Sequence, residues 1–139
     1  MGKITGSCQC GAVRYEIDAE PMVALHCECL DCKKSSGSGH ITAGAFPEAA
    51  VHVTGTLKSY SSIADSGATA TRGFCPECGG RISFKSSGIP GMLAITAGSM
   101  DDPQAISPSI AVYHKRHVSW DHLDPSLPVA ETSPQRDRG

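Results

Sequence analysis

The chain has 139 residues, with 12 Lys and Arg against 14 Asp and Glu and a formal net charge of −2. That balance excludes the basic field with which a protein releases counterions from phosphate, so nucleic acid is not an expected partner. The length suits one domain, and aromatic residues make up only 5% of it, too few to fill a large core. Fifteen glycines and nine prolines favour short strands and loops, while seven cysteines can supply metal staples in place of packing.

Met1 to Ser7 contain no apolar run of signal-peptide character, and no segment approaches the length of a membrane span. The expectation is a cytoplasmic chain, where cysteines persist as thiols or metal ligands. Seven, an odd count, also fits poorly with a disulfide framework.

In chain order, Val13, Tyr15 and Ile17 alternate with Arg14, Glu16 and Asp18, the period of a half-buried strand. Asp31 to Ser36 suit a single helical turn. Ala50 to Val53 and Leu57 to Tyr60 flank Thr54-Gly55-Thr56, which reads as a hairpin. Further strands are expected over Arg81 to Lys85, Met92 to Gly98 and Ser109 to Tyr113. No window carries the pattern of a long amphipathic helix. The class is therefore mostly β, with one zinc-binding domain over residues 1–130 and a loose tail over 131–139, where Pro134 sits among polar residues.

Two cysteine doublets stand out, Cys8-Gln9-Cys10-Gly11 and Cys75-Pro76-Glu77-Cys78-Gly79. Zinc takes four thiolates at tetrahedral angles, and a doublet followed by glycine can curl so that two sulfurs converge. The doublets are separated by 64 residues, so a metal on Cys8, Cys10, Cys75 and Cys78 would tie the N-terminal strand to the middle of the chain. A redox C-x-x-C would belong on a βαβ unit, and none is visible.

The other cysteines, Cys27, Cys29 and Cys32, lie within six residues of one another. Three protein ligands with a fourth position open is the arrangement of a catalytic zinc site. His26, Glu28, Asp31 or His40 could instead close it. Three thiolates leave a zinc ion near −1 in charge, which suits holding a further thiolate better than making hydroxide.

Gly6-Ser7-Cys8-Gln9-Cys10-Gly11-Ala12-Val13, Cys27 through Ser38, and Cys75-Pro76-Glu77-Cys78-Gly79 together resemble the glutathione-dependent formaldehyde-activating enzyme family, also called the centromere protein V-like family. Pro108 to Trp120 and Asp124 to Pro128 are similar to its closing segment. The resemblance implies an Mss4-like fold of several small antiparallel sheets. It implies two zinc ions per chain, one structural on Cys8, Cys10, Cys75 and Cys78 and one catalytic on Cys27, Cys29 and Cys32. It also implies a carbon–sulfur lyase of the S-hydroxymethylglutathione synthase type, with glutathione or another thiol and formaldehyde or a related aldehyde as partners. Many relatives carry His where this chain has Glu28.

On this reading the hemithioacetal oxygen takes its proton from His26, His40 or water; His114 and His117 are poorer candidates, since nothing in the sequence places them near the triplet. Lys33, Lys34, Arg72 and the amides of Ser35-Ser36-Gly37 are the candidate donors to substrate carboxylates, with ordinary surface as the favoured alternative for any single one. The competing reading is a non-enzymatic, zinc-stapled interaction module. A zinc-type methionine sulfoxide reductase would need a late nucleophilic cysteine, and none follows Cys78.

Overall fold

The structure is a computed structural model and describes residues 3–132. Ten strands run in chain order: β1 (Ile4–Ser7), β2 (Arg14–Ile17), β3 (Val23–Cys27), β4 (Ile41–Pro47), β5 (Val51–Thr54), β6 (Lys58–Ile63), β7 (Thr69–Phe74), β8 (Arg81–Ser86), β9 (Met92–Thr96) and β10 (Ile110–Val112). One helix, α1 (Leu30–Ser36), interrupts them between β3 and β4. No helix among the described residues is long and apolar enough to cross a membrane.

The strands form two sheets. One has three strands in the order β1-β2-β5, and the other has seven in the order β10-β3-β4-β9-β8-β7-β6. The mostly β expectation holds. The larger sheet is antiparallel except at its end, where β10 runs parallel to β3.

The alternation read in β2 is the one that buries it. Val13, Tyr15 and Ile17 are at most 2% exposed, while Arg14 and Glu16 face out. They pack with Phe46, Ile82 and Ile95 of the larger sheet into one core. Tyr15 keeps its hydroxyl satisfied on Ser99 Oγ at 2.7 Å, as a buried phenol must.

The expected hairpin over 50–60 does not form. β5 pairs with β2 and β6 pairs with β7, so Thr54-Gly55-Thr56 carries the chain from one sheet to the other. Gly55 has φ +98°, and a Cβ there would meet Ala12 O at 2.2 Å. Glycine supplies left-handed backbone to a crossover as readily as to a hairpin turn, which is why the two look alike in sequence.

The single turn expected from Asp31 is a seven-residue helix beginning at Leu30. Cys29 caps it, accepting from Cys32 N, and Gly37 ends it in the left-handed region at φ +72°. At the C-terminal end, Ala130 N donates to Ala111 O and Tyr113 N to Thr132 O. Of the tail expected over 131–139, residues 133–139 lie outside the described residues.

Candidate metal centres and the cavity beside them

Two short knuckles bring the four doublet cysteines together. Gly11 N donates to Cys8 O, and Gly79 N donates to Cys75 O. Gly11 and Gly79 hold φ of +82° and +77°, a conformation that side chains with a Cβ resist. Cys8 and Cys10 Sγ lie 3.7 Å apart, and Cys10 and Cys75 Sγ 3.8 Å. A zinc ion with sulfur at 2.3 Å gives tetrahedral edges of about 3.8 Å, so the thiols fit that ion. Backbone amides aim at the sulfurs, Val13 N at Cys8 and Glu77 N at Cys75, both at 3.3 Å. The Val13 amide leads in lowering the Cys8 thiol pKa to about 6, favouring the thiolate that a metal needs.

Cys27 ends β3, Cys29 caps α1 and Cys32 sits in its first turn. Their sulfurs form a cluster with no other ligand within it among the described residues. Three of the four residues that might have closed this site are engaged elsewhere, and the fourth, Asp31, lines the cavity beside the triplet without bringing a carboxylate oxygen into the sulfur cluster. His26 Nδ1 meets Thr42 Oγ1 and His40 Nδ1 meets Asp121 Oδ2, each at 2.7 Å. Glu28 turns to two histidines, and Asp31 lies 3.9 Å from Arg72. Within the triplet the neighbouring thiols Cys27 and Cys32 drive the Cys29 pKa down, with help from the Cys32 amide and the Arg72 charge. Cys29 and Cys32 in turn push the Cys27 thiol up.

The triplet opens on a cavity of about 290 Å³ between the β3-β4 and β7-β9 parts of the large sheet. Its walls are mainly apolar, with Val23, Leu25, Ile41, Phe84, Ile89 and Met92 among them. Two arginines enter this apolar space. Arg72 is 8% exposed, lies over the Phe84 ring and donates from Nη1 to Ser62 Oγ, while its Nε has no partner. Arg81 donates from Nη1 to Ser35 Oγ at 2.6 Å. Burial, followed by the Arg72 charge, lowers the pKa of Arg81.

Arg72 is therefore at the triplet and buried, not on the surface. Lys33 is not available there, because its Nζ donates to Arg116 O. The Gly37 amide is used in closing α1 on Lys33 O. His26 and His40 stack edge to face at 4.9 Å and do not line the cavity. Burial lowers the His26 pKa.

His114 and His117, which nothing in the sequence placed near the triplet, come to the triplet segment. Val112 of β10 is in register with Cys27 of β3, and Glu28 N donates to Val112 O at 3.0 Å. Tyr113 then takes φ +56°, the one non-glycine in the left-handed region among the described residues, and starts the turn His114–Arg116. Both imidazoles thereby reach the fully buried Glu28 carboxylate, His114 Nδ1 at 2.7 Å and His117 Nδ1 at 2.5 Å. The His-x-x-His spacing was visible in the sequence, but its partner Glu28 lies 86 and 89 residues away.

No match was found among curated proteins. The crystal structure of a Rhodobacter sphaeroides protein, a Northeast Structural Genomics target, is similar in fold, with a TM-score of 0.58 at 18% identity, covering 90% of this chain and 98% of that one. A family model described as glutathione-dependent formaldehyde-activating enzyme matches residues 3–116. The chain belongs to the glutathione-dependent formaldehyde-activating enzyme family.

Proposed function

We propose that the chain is a zinc-dependent carbon–sulfur lyase that makes or breaks the adduct of a thiol and an aldehyde. One observation carries this reading: Cys27, Cys29 and Cys32 converge without a fourth protein ligand among the described residues and face a cavity. On this reading Cys8, Cys10, Cys75 and Cys78 hold one structural zinc, and the triplet holds a second. When bound there, zinc supplies a position that keeps a substrate thiol deprotonated. The family makes glutathione the first thiol to test and formaldehyde the first aldehyde.

The chain's own residues account for the rest. Arg72, beside Cys29 and Cys32, offsets the negative charge that thiolates accumulate, and its guanidinium lines the cavity where a substrate oxygen or carboxylate would sit. In the forward direction the thiolate sulfur attacks the carbonyl carbon, a C–S bond forms, and the π pair moves to oxygen. That oxygen then takes one proton. His26 and His40 are outside the cavity, which leaves water entering from solvent, or the half-exposed Asp31 that lines it, to carry the proton. The reverse reaction returns the proton, breaks the C–S bond and releases thiol and aldehyde.

The apolar walls refine the carbon partner. Formaldehyde buries almost no apolar surface, whereas a hydrocarbon substituent gains roughly 25 cal/mol for each Å² removed from water. Thiols add to formaldehyde unaided, so the cavity is better used on a larger, less reactive aldehyde.

Exchange spectroscopy by NMR tests the activity. The rate at which a hemithioacetal equilibrates with free thiol and aldehyde should rise in proportion to zinc-loaded protein and return to the uncatalysed rate with Cys29→Ser. A rate independent of protein, for glutathione with formaldehyde and with hexanal alike, would contradict the lyase and favour the interaction module.

A further inference from the structure

The Glu28 carboxylate takes no part in the triplet or in the lyase chemistry. It is fully buried, and it stands between two cysteines that are anionic whenever they bind a metal. Isolated buried charge is strongly unfavourable, so native proteins pair it or place it on a cation. Among the described residues, no lysine or arginine lies within ion-pair distance of Glu28; His114 and His117 are its partners. These three side chains bring ligand atoms within 4.8 Å of one another. On their outer side is a second cavity of about 290 Å³, separate from the one at the triplet, lined by both histidines together with His122, Asp121 and Asp124.

We propose that Glu28, His114 and His117 form a further metal site, for a divalent first-row transition ion, with its open side toward this second cavity. Two imidazoles and a carboxylate are a donor set that suits such ions and leaves positions for water or an exogenous ligand. Each ring now directs Nδ1 at a carboxylate oxygen. Moving its proton to Nε2 frees the Nδ1 lone pair with no change in the charge of the ring. The ion then takes the place of the two hydrogen bonds, with the donor atoms opening to roughly 3 Å apart for ligand bonds of 2.0–2.2 Å. Its two positive charges offset Glu28 and the neighbouring thiolates together.

The test is independent of the lyase reading. Tag-free protein with its thiolate sites saturated with zinc is titrated with cobalt(II), followed by calorimetry and visible absorption. The expected result is one further ion per chain, with ligand-field bands and no new thiolate-to-cobalt charge transfer. The same ion should bind the Cys27→Ser/Cys29→Ser/Cys32→Ser chain. It should be lost in His114→Ala/His117→Ala and bind at least tenfold more weakly in Glu28→Gln. Circular dichroism and a cooperative thermal transition of the zinc-loaded protein report whether each variant is folded, and His117→Gln replaces the double variant if that one is not. Absence of a further ion in the parent chain, or its undiminished binding to the folded histidine variant, would overturn the proposal.

Discussion

Cys10 Sγ and Cys75 Sγ stand 3.8 Å apart although 65 positions separate them in the chain. One belongs to the knuckle after β1 and the other to the knuckle after β7, so each sheet contributes half of this cluster. A structural zinc ion contributes roughly 10–16 kcal/mol of apparent binding free energy, comparable to the whole stability of a domain. Cys75→Ser, or a strong chelator, is expected to abolish cooperative unfolding followed by circular dichroism. A sharp thermal transition retained at zero zinc content would show that packing alone holds the sheets together.

Tyr15 gives an alkaline signature. Burial raises its pKa from 10 to about 12, against the smaller opposing effect of the Ser99 hydrogen bond. Between those values the native chain keeps the phenolic proton while the unfolded chain has lost it, so stability from this group is complete below pH 10 and falls as pH rises toward 12. Urea melts across that interval should show a shallower decline for Tyr15→Phe than for the parent chain. Equal slopes would contradict the assignment.

At Gly55, an added methyl group meets both a positive φ and the Ala12 carbonyl. Gly55→Ala should destabilise the chain by about 1–3 kcal/mol in denaturant titration. A neutral result would mean that the link between β5 and β6 is free to rearrange.

These elements differ in how openly the sequence displayed them. The period-two run at Val13, Tyr15 and Ile17 names its own buried face, and the cysteine spacing names its own clusters. β4 was not legible because Ala43, Gly44 and Ala45 are small residues of low strand propensity that pack through the close approach of their neighbours. β3 was missed because its residues are partly buried on both faces and do not alternate. The link from β10 to Glu28 rests on a parallel pairing between strands more than eighty residues apart, and no local pattern encodes such a pairing. The apolar cavity likewise draws its walls from six strands, β3, β4, β7, β8, β9 and β10, so no single segment announces it.

Ala94 lines that cavity from β9. Ala94→Phe fills space without touching the thiols. Steady-state kinetics should show KM for a hexanal adduct raised at least tenfold, a loss of about 1.4 kcal/mol or more in binding, with the formaldehyde adduct little changed. Equal effects on both adducts would separate the cavity from substrate choice.

The most direct measurement of the central claim is the absorption of protein carrying cobalt(II) at Cys27, Cys29 and Cys32, recorded during titration with a thiol such as glutathione or hexanethiol. If the triplet is an open site, the thiolate-to-cobalt charge transfer will grow to one added thiolate per chain, and Cys29→Ser, with its four-cysteine site intact, will show no such growth. A spectrum that stays unchanged to saturating concentrations of both thiols, with two cobalt ions bound, would mean that the site is closed and would contradict the account.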